Sequence, residues 1–159
     1  MSTLKTNEIQ TTSGKKILGS TGSVIQTVHA PFTTVRTGTS SGNRVDISGF
    51  LASITPSSTS SKVLIICHMS GVFDCDGRLD LKRNGTVCKQ NLLGTDRDAN
   101  DDCNTLCGLF LDSPNTTSAI TYQCSVVATG CGTVFHVNRS KTGSTGNGVS
   151  GLTLMEISA

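Results

Sequence analysis

Three histidines are the residues of this chain whose type most directly suggests catalysis. A hydrolase that works through a nucleophile needs a Ser, Cys or Thr beside a His that a carboxylate orients. None of His29, His68 and His136 stands in a glycine-framed turn of the kind that presents a nucleophile. His29 precedes Pro31 at the end of an expected strand, and the other two lie in strands, pointing outward or to an interface. We therefore expect structural or surface roles for all three and no enzyme activity.

One acidic stretch resembles the start of a calcium loop, because Asp96, Asp98 and Asn100 alternate as the first ligands of such a loop do. The resemblance then fails. The sixth position is Asp101 where the loop needs Gly, and the twelfth is Cys107 where it needs Glu. A solvated loop tip is the favoured interpretation, and calcium at these residues stays an alternative. No cofactor is expected.

The seven cysteines cannot all pair within one chain, because their number is odd. Cys67 and Cys124 stand in apolar, strand-like runs, where a reduced thiol behaves as a small buried hydrophobe. Cys103 and Cys107 lack the two-residue spacing of zinc knuckles. Cys124 and Cys131 flank a tight turn and could form a disulfide in oxidising water, but spacing does not determine the distance between their Cα atoms. Cysteine pairing is left open.

The composition favours β-structure. The 159 residues include 23 Thr, 20 Ser and 17 Gly, residue types that favour strands and the turns between them. A formal charge of +2 with 15% charged residues predicts no nucleic-acid surface. No apolar run approaches the ~20 residues that cross a bilayer. The polar segment Met1–Gln10 lacks the apolar core of a secretion signal, so we expect synthesis in a cytoplasm.

Alternating polarity and turn signals predict one antiparallel, jelly-roll-like β-sandwich at residues 24–159. Asn84-Gly85 predicts a two-residue hairpin, because a type I′ turn needs positive φ at both central residues. No window has a helical period. The eight expected strands run near Val24–Val28, Arg44–Ile54, Lys62–Met69, Arg78–Arg83, Leu106–Leu111, Ala119–Ala128, Thr133–Asn138 and Gly151–Ile157.

Two of these strands are apolar on both faces. Leu64 and Ile66 point away from the other apolar residues of their strand, and the last strand has Leu152 and Leu154 opposite Met155. The core of a sandwich covers one face only, so a second copy of the chain is the economical cover for the other. We expect these four leucine and isoleucine residues at a subunit interface. A loop such as Thr95–Asn104 folded over the sheet is the alternative.

The first 23 residues form a segment of different character. They are polar and rich in Thr, Ser and Lys, and their scattered apolar residues cannot build a core. We expect an extended attachment segment at residues 1–23, held through apolar points at Leu4, Ile9, Ile17 and Leu18.

The opening Met1-Ser-Thr-Leu-Lys-Thr-Asn-Glu-Ile-Gln-Thr-Thr-Ser-Gly-Lys15, with the following Ile17-Leu18, resembles the start of tail-fibre and other appendage proteins of tailed phages, especially marine ones infecting cyanobacteria. The segments Ile54–Ile65, Leu111–Tyr122 and Leu152–Ile157 resemble the small globular domains of the same proteins. The resemblance implies an N-terminal attachment segment and a trimeric jelly-roll head. Such a head is similar in shape to tumour-necrosis-factor or C1q-like heads, with its C-terminal strand near the three-fold axis.

These inferences predict a non-enzymatic structural protein of a virus particle. The favoured role is a homotrimeric short tail fibre or appendage that contributes to host attachment. Its partners would be its own copies, another virion protein that receives the N-terminal segment, and a host surface glycan or protein. Neither nucleic acid nor membrane insertion is expected. A capsid decoration protein that stiffens the shell is the alternative, and a glycan-cleaving tail enzyme is the least favoured class.

Overall fold

The computed structural model describes residues 9–10, 12, 16–18, 21–95, 103–130, 133–143 and 148–159. Within these ranges every regular element is a β-strand. No helix there is long and apolar enough to cross a membrane. The strands are β1 (Ile9–Gln10), β2 (Lys16–Leu18), β3 (Val24–Phe32), β4 (Arg36–Thr39), β5 (Val45–Ile54), β6 (Lys62–Phe73), β7 (Gly77–Arg83), β8 (Thr86–Thr95), β9 (Asn104–Asp112), β10 (Ile120–Ala128), β11 (Val134–Val137) and β12 (Ser150–Ile157).

The main strands form two antiparallel sheets packed as a sandwich. The smaller sheet has the order β5-β10-β7-β8. In the larger sheet β12 lies between β3 and β6, β9 pairs with the other edge of β6, and the short β11 and β4 extend the sheet beside the end of β6. If the eight long strands are numbered in chain order, the sheets read 1-8-3-6 and 2-7-4-5. This is the strand order of a jelly roll, so the predicted fold class is confirmed.

The core lies between the sheets and is built mostly from aliphatic side chains. Fully buried residues include Ile65 of β6, Leu79 of β7, Tyr122 of β10 and Leu154 of β12. Aromatic residues are few, and the rings of Phe32 and Phe50 stack with their centroids 5.0 Å apart. Alternate residues of each strand therefore point inward and meet the opposite sheet, as a sandwich requires.

Among the cysteines that the structure describes, Cys75 differs from the others in its bonding. Cys75 is disulfide-bonded. Cys67 and Cys124 are free and buried, as predicted from their apolar surroundings. The alternative of a bridge between Cys124 and Cys131 is therefore wrong, because Cys124 keeps its thiol; Cys131 itself lies outside the described residues.

All eight expected strands are present, but the sequence pattern missed four others: β1 and β2 of the N-terminal segment, β4 and β8. β4 contains no large apolar residue, so it has no alternation to detect. β8 is interrupted by an irregularity in its pairing with β7, which breaks the alternation in the middle of the strand. The hairpin between β7 and β8 is confirmed, with φ of 49° at Asn84 and 83° at Gly85.

The N-terminal residues form a small sheet of their own. β1 and β2 pair antiparallel, with Ile9 opposite Leu18, and Ile17 lies in β2. Leu4 lies outside the described residues, as do Asp96, Asp98 and Asn100 of the calcium alternative. The attachment role of this segment and the calcium alternative both stay predictions.

A buried carboxylate fixes the register of the last strand. Glu156 of β12 accepts hydrogen bonds from the Ser57 backbone N–H at 2.8 Å, the Ser57 hydroxyl at 2.7 Å and the Gln26 amide at 2.6 Å. Burial alone would raise the pKa of this carboxyl, but the hydrogen bonds outweigh burial and lower the pKa to about 2. The Glu156 carboxylate thus joins β12 to β3 and to the loop after β5. Because neighbouring residues of a strand point to opposite faces, Met155 lies on the other face of β12.

Candidate subunit interface

β6 is apolar on both faces, as the sequence predicts. Its inward residues Val63, Ile65 and Cys67 are fully buried between the sheets. Leu64 and Ile66 alternate with them on the outer face of the larger sheet, where they are only half-buried. These two side chains therefore lack complete cover in a single chain.

The neighbouring strand β9 enlarges this apolar surface. In register, Leu111 lies beside Leu64 and Leu109 lies beside Ile66. The side chains of Leu109 and Leu111 are 62% and 50% exposed. Sequence reasoning missed these two residues as interface candidates, although the alternation of Leu109 and Leu111 around Phe110 was the available signal.

The last strand presents the opposite face from the one expected. Leu152 and Leu154 are fully buried in the core of the subunit itself, so they cannot be the residues that a second chain covers. Met155 is on the outer face instead, directly beside Leu64. A strand places alternate residues on one face, but both faces of β12 are apolar, so alternation alone does not show which face points into the core. The register of β12 with β3 and β6 determines which face is buried.

Two histidines stand at the other end of this outer face. An added Cβ at Gly151 would lie 2.8 Å from Cε1 of His68 and 3.3 Å from Cε1 of His29, so both imidazoles flank the bare glycine. His29 Nδ1 is 2.9 Å from the Thr153 hydroxyl oxygen. The face thus has an apolar end around Leu64 and a more polar end around Gly151.

We call the outer surface of β3, β12, β6 and β9, the four long strands of the larger sheet, the assembly face. Lys62 at its border is the only member with a formal charge. Its members, by strand, are Ile25, Thr27 and His29 of β3; Gly151, Thr153, Met155 and Ile157 of β12; Lys62, Leu64, Ile66 and His68 of β6; and Cys107, Leu109 and Leu111 of β9.

The assembly face is small, but its composition suits a protein contact. Four strands spaced ~4.8 Å apart, each with about eight residues at ~3.3 Å per residue, cover about 500 Å². The largest apolar patch of a typical soluble monomer covers about 300–600 Å² and is often functional, and larger exposed patches mark interaction surfaces. Leaving Leu109 and Leu111 in water costs about 25 cal/mol for each Å² of apolar surface, which burial against another chain would recover.

His136, Thr37 and Asp74 lie close together near the end of β6, and their distances do not match those of a catalytic site. His136 is buried, which corrects the expectation that it points outward or to an interface. Its Nδ1 is 3.1 Å from the Thr37 hydroxyl oxygen, and its Nε2 is 3.6 Å from Asp74 Oδ1, too far for a hydrogen bond. Burial lowers the pKa of His136. Thr37 and His136 are direct cross-strand neighbours, and a Thr–His contact of this kind is ordinary sheet packing.

The described ranges contain no group of three or more His, Cys, Asp or Glu side chains placed to hold a metal ion. His68 and Cys107 are cross-strand neighbours on the assembly face, but they lack a third ligand from the described part of the same chain.

Comparison with known proteins adds only remote structural likeness. No protein-family model and no curated protein matches the chain. A crystal structure of the infectious bursal disease virus VP2 subviral particle is similar with a TM-score of 0.42 and 14% identity, over 84% of this chain and 37% of that one. A structure of the Gx strain of the same virus gives a TM-score of 0.39 and 12% identity, over 86% and 43%. The chain thus spans less than half of either protein, and scores this low carry no functional argument.

Proposed function

We propose that this chain is a non-enzymatic structural protein of a virus particle that assembles as a homotrimer through the assembly face. The single observation that carries the proposal is the row of Leu111, Leu64 and Met155, three large apolar side chains in register on the outside of a sheet whose inner face already has a complete core. The occupant of this row is a second copy of the same chain.

Charge and area favour self-association. The assembly face carries no acidic residue and a single Lys, so two copies meet without like-charge repulsion at its centre. Its area of about 500 Å² is below the ~800 Å² per partner of a standard stable interface. Two faces packed on each other would therefore form a weak dimer. In a closed ring of three, each subunit contributes its face to one neighbour and a different surface to the other, which adds buried area.

The role in a virion rests on the resemblance of residues 1–18 to the opening of phage appendage proteins, together with the jelly-roll fold. In this proposal residues 1–23 attach the protein to another virion protein, and the head points outward and contributes to host attachment. Repetition around a three-fold axis turns weak single contacts into firm binding without a catalytic step.

The mass of the purified protein in solution tests the assembly. Multi-angle light scattering should give three times the 16.5 kDa of the single chain. A well-folded protein with the mass of one chain would refute the trimer. A mass of two chains would refute the ring and favour face-to-face packing.

Electron microscopy of the particle tests the location. Antibody-labelled protein at the tail supports the appendage role. Label spread over the icosahedral shell would refute it and favour the alternative, a decoration protein that bridges capsid subunits. Absence of label from purified particles would refute both virion roles.

A further inference from the structure

A polar cleft of about 550 Å³ lies on the outer face of the smaller sheet, on the opposite side of the sandwich from the assembly face. In its floor, Arg78 of β7 stands between Val127 of β10 and Gly94 of β8. The outer faces of two packed sheets point in opposite directions, so burial of the assembly face leaves the cleft open to the outside. Its polar side chains are Asp76, Arg78, Gln90, Asn91 and Thr129.

A β-bulge builds one wall of the cleft. Leu79 pairs with Leu93 and Leu81 pairs with Lys89, so the three residues between Lys89 and Leu93 oppose the single residue Asp80. Asn91, in the middle of the bulge, has φ of 52°, a backbone conformation that is uncommon outside glycine. Bulges and strained residues of this kind occur disproportionately beside functional sites, where they redirect side chains.

The bulge is held firmly in place. The Asn91 N–H donates to Asp80 Oδ1 at 2.7 Å, and Asp80 is fully buried. A Cβ at Gly94 would lie 2.8 Å from Asn91 Oδ1. Because glycine has no side chain, there is room at this position for the Asn91 amide. On the opposite wall, the Thr129 N–H donates to the Asp76 carbonyl oxygen at 2.8 Å. Both walls are therefore formed before any ligand arrives, which lowers the entropic cost of binding.

The charges in the cleft are nearly balanced. Arg78 Nε lies 3.3 Å from Asp80 Oδ1, and Arg44 Nη2 lies 2.8 Å from Asp80 Oδ2. The Arg78 side chain is still 41% exposed, and Nε is only one of the five donors of a guanidinium. Asp76 brings a carboxylate to the same cleft. The walls therefore offer donors and acceptors side by side without a strong net charge, which suits a neutral, hydroxyl-rich ligand.

We infer that this cleft binds one uncharged sugar unit of a host-surface polysaccharide. Neighbouring hydroxyls of a pyranose ring each donate and accept a hydrogen bond. The amides of Gln90 and Asn91 do both, the Arg78 guanidinium donates, and the Asp76 carboxylate accepts. The inference rests on the proposed function and names the site of its host contact. Binding at one site is weak, and the three sites of a trimer supply the avidity.

The test is a titration of ¹⁵N-labelled full-length protein with the free methyl glycosides of glucose, galactose, mannose and N-acetylglucosamine. At least one glycoside should shift the amide resonances of Asn91, Gly94 and Thr129. Gln90→Ala removes an exposed side chain and should weaken that binding about fivefold, the worth of one hydrogen bond. Arg78→Lys keeps the charge beside Asp80 but loses the planar fork, so it should weaken binding similarly.

Gln123→Ala is the matched control, because Gln123 lies on the outer face of the same sheet, beside Lys82 and away from the cleft. Its affinity should be unchanged. Three results would overturn the inference: no shift at the cleft with any glycoside, equal affinity of Gln90→Ala and the parent, or shifts at the cleft with inorganic phosphate and none with the glycosides.

The solution mass of the same sample separates this inference from the proposed function. A trimer that binds no glycoside overturns the sugar site alone. A single chain whose cleft binds a glycoside overturns the assembly and supports the sugar site.

Discussion

The sulfur atoms of Cys67 and Cys124 lie 3.8 Å apart at the centre of the core, where side chains of the two sheets meet. Both residues are fully buried, and both thiols are free. Burial is the main cause that raises the pKa of Cys124, and the hydrogen bond with Cys67 adds to it. The two thiols therefore pack as small apolar side chains and do not form a reactive centre.

The first prediction concerns the reactivity of these thiols. Brief alkylation of the native protein should leave Cys67 and Cys124 unmodified, because both side chains are fully buried and have no solvent contact. The same treatment in guanidinium should label both, and peptide mass spectrometry measures each site. Labelling of Cys124 in the native protein as fast as in guanidinium would contradict the buried pair.

The second prediction separates assembly from folding. Leu109→Asp should abolish the trimer and leave a folded single chain, because Leu109 is 62% exposed and a charge there costs little until a neighbour desolvates it. Leu154→Asp should prevent folding, because it puts a charge in the core. Leu51→Asp is the matched control. Leu51 is 39% exposed on the outer face of the other sheet, so this variant should remain trimeric.

In these three variants, light scattering measures the assembly and circular dichroism measures the folding. A trimeric Leu109→Asp variant would show that the interface lies elsewhere. Native labelling of Cys107 gives a second reading. Cys107 is exposed in the single chain and lies on the assembly face, so it should be protected in the trimer and labelled in Leu109→Asp.

The third prediction is the acid sensitivity conferred by Glu156. Its pKa of about 2 lies below the ordinary 4.5, so the folded state favours the ionised form. The resulting stability is complete above pH 4.5 and is lost as the pH falls towards 2. Glu156→Gln should lower the free energy of unfolding at neutral pH by about 1–3 kcal/mol. Urea titrations should show this difference shrinking in acid; a difference independent of pH would refute the assignment.

The fourth prediction uses Tyr122, the single tyrosine of the chain. Burial is the main cause that raises its pKa, and the hydrogen bond that its hydroxyl donates to Asp112 at 2.6 Å adds to it. A group with a raised folded-state pKa stabilises the fold below its ordinary pKa of 10 and loses that contribution as the pH rises further.

An alkaline titration followed by ultraviolet absorbance should therefore show no tyrosinate until the protein unfolds. Asp112→Asn should weaken the protection, whereas Asp46→Asn, at an exposed carboxylate that bonds Lys82, should not. Ionisation of Tyr122 near pH 10 in the folded protein would contradict the buried hydrogen bond.

Much of the fold could be predicted because its signals are local. Alternation located eight strands, and Asn84-Gly85 located a hairpin whose positive φ angles the structure confirms. β8 escaped prediction because its bulge shifts the alternation midway along the strand. Of the four residues expected at a subunit interface, Leu64 and Ile66 stand on the outer face of the sheet, and the interface itself stays a prediction.

The sequence by itself determined that the chain is a β-sandwich and that β6 is apolar on both faces, since both properties follow from residue order along single strands. Only the tertiary structure decided that Leu154 faces the core and Met155 faces outward, because strand pairing selects one of two equally apolar faces. It also decided that Asp76, Arg78 and Asn91 share one cleft, since residues from separate strand ends and a bulge meet only after the sheet has formed.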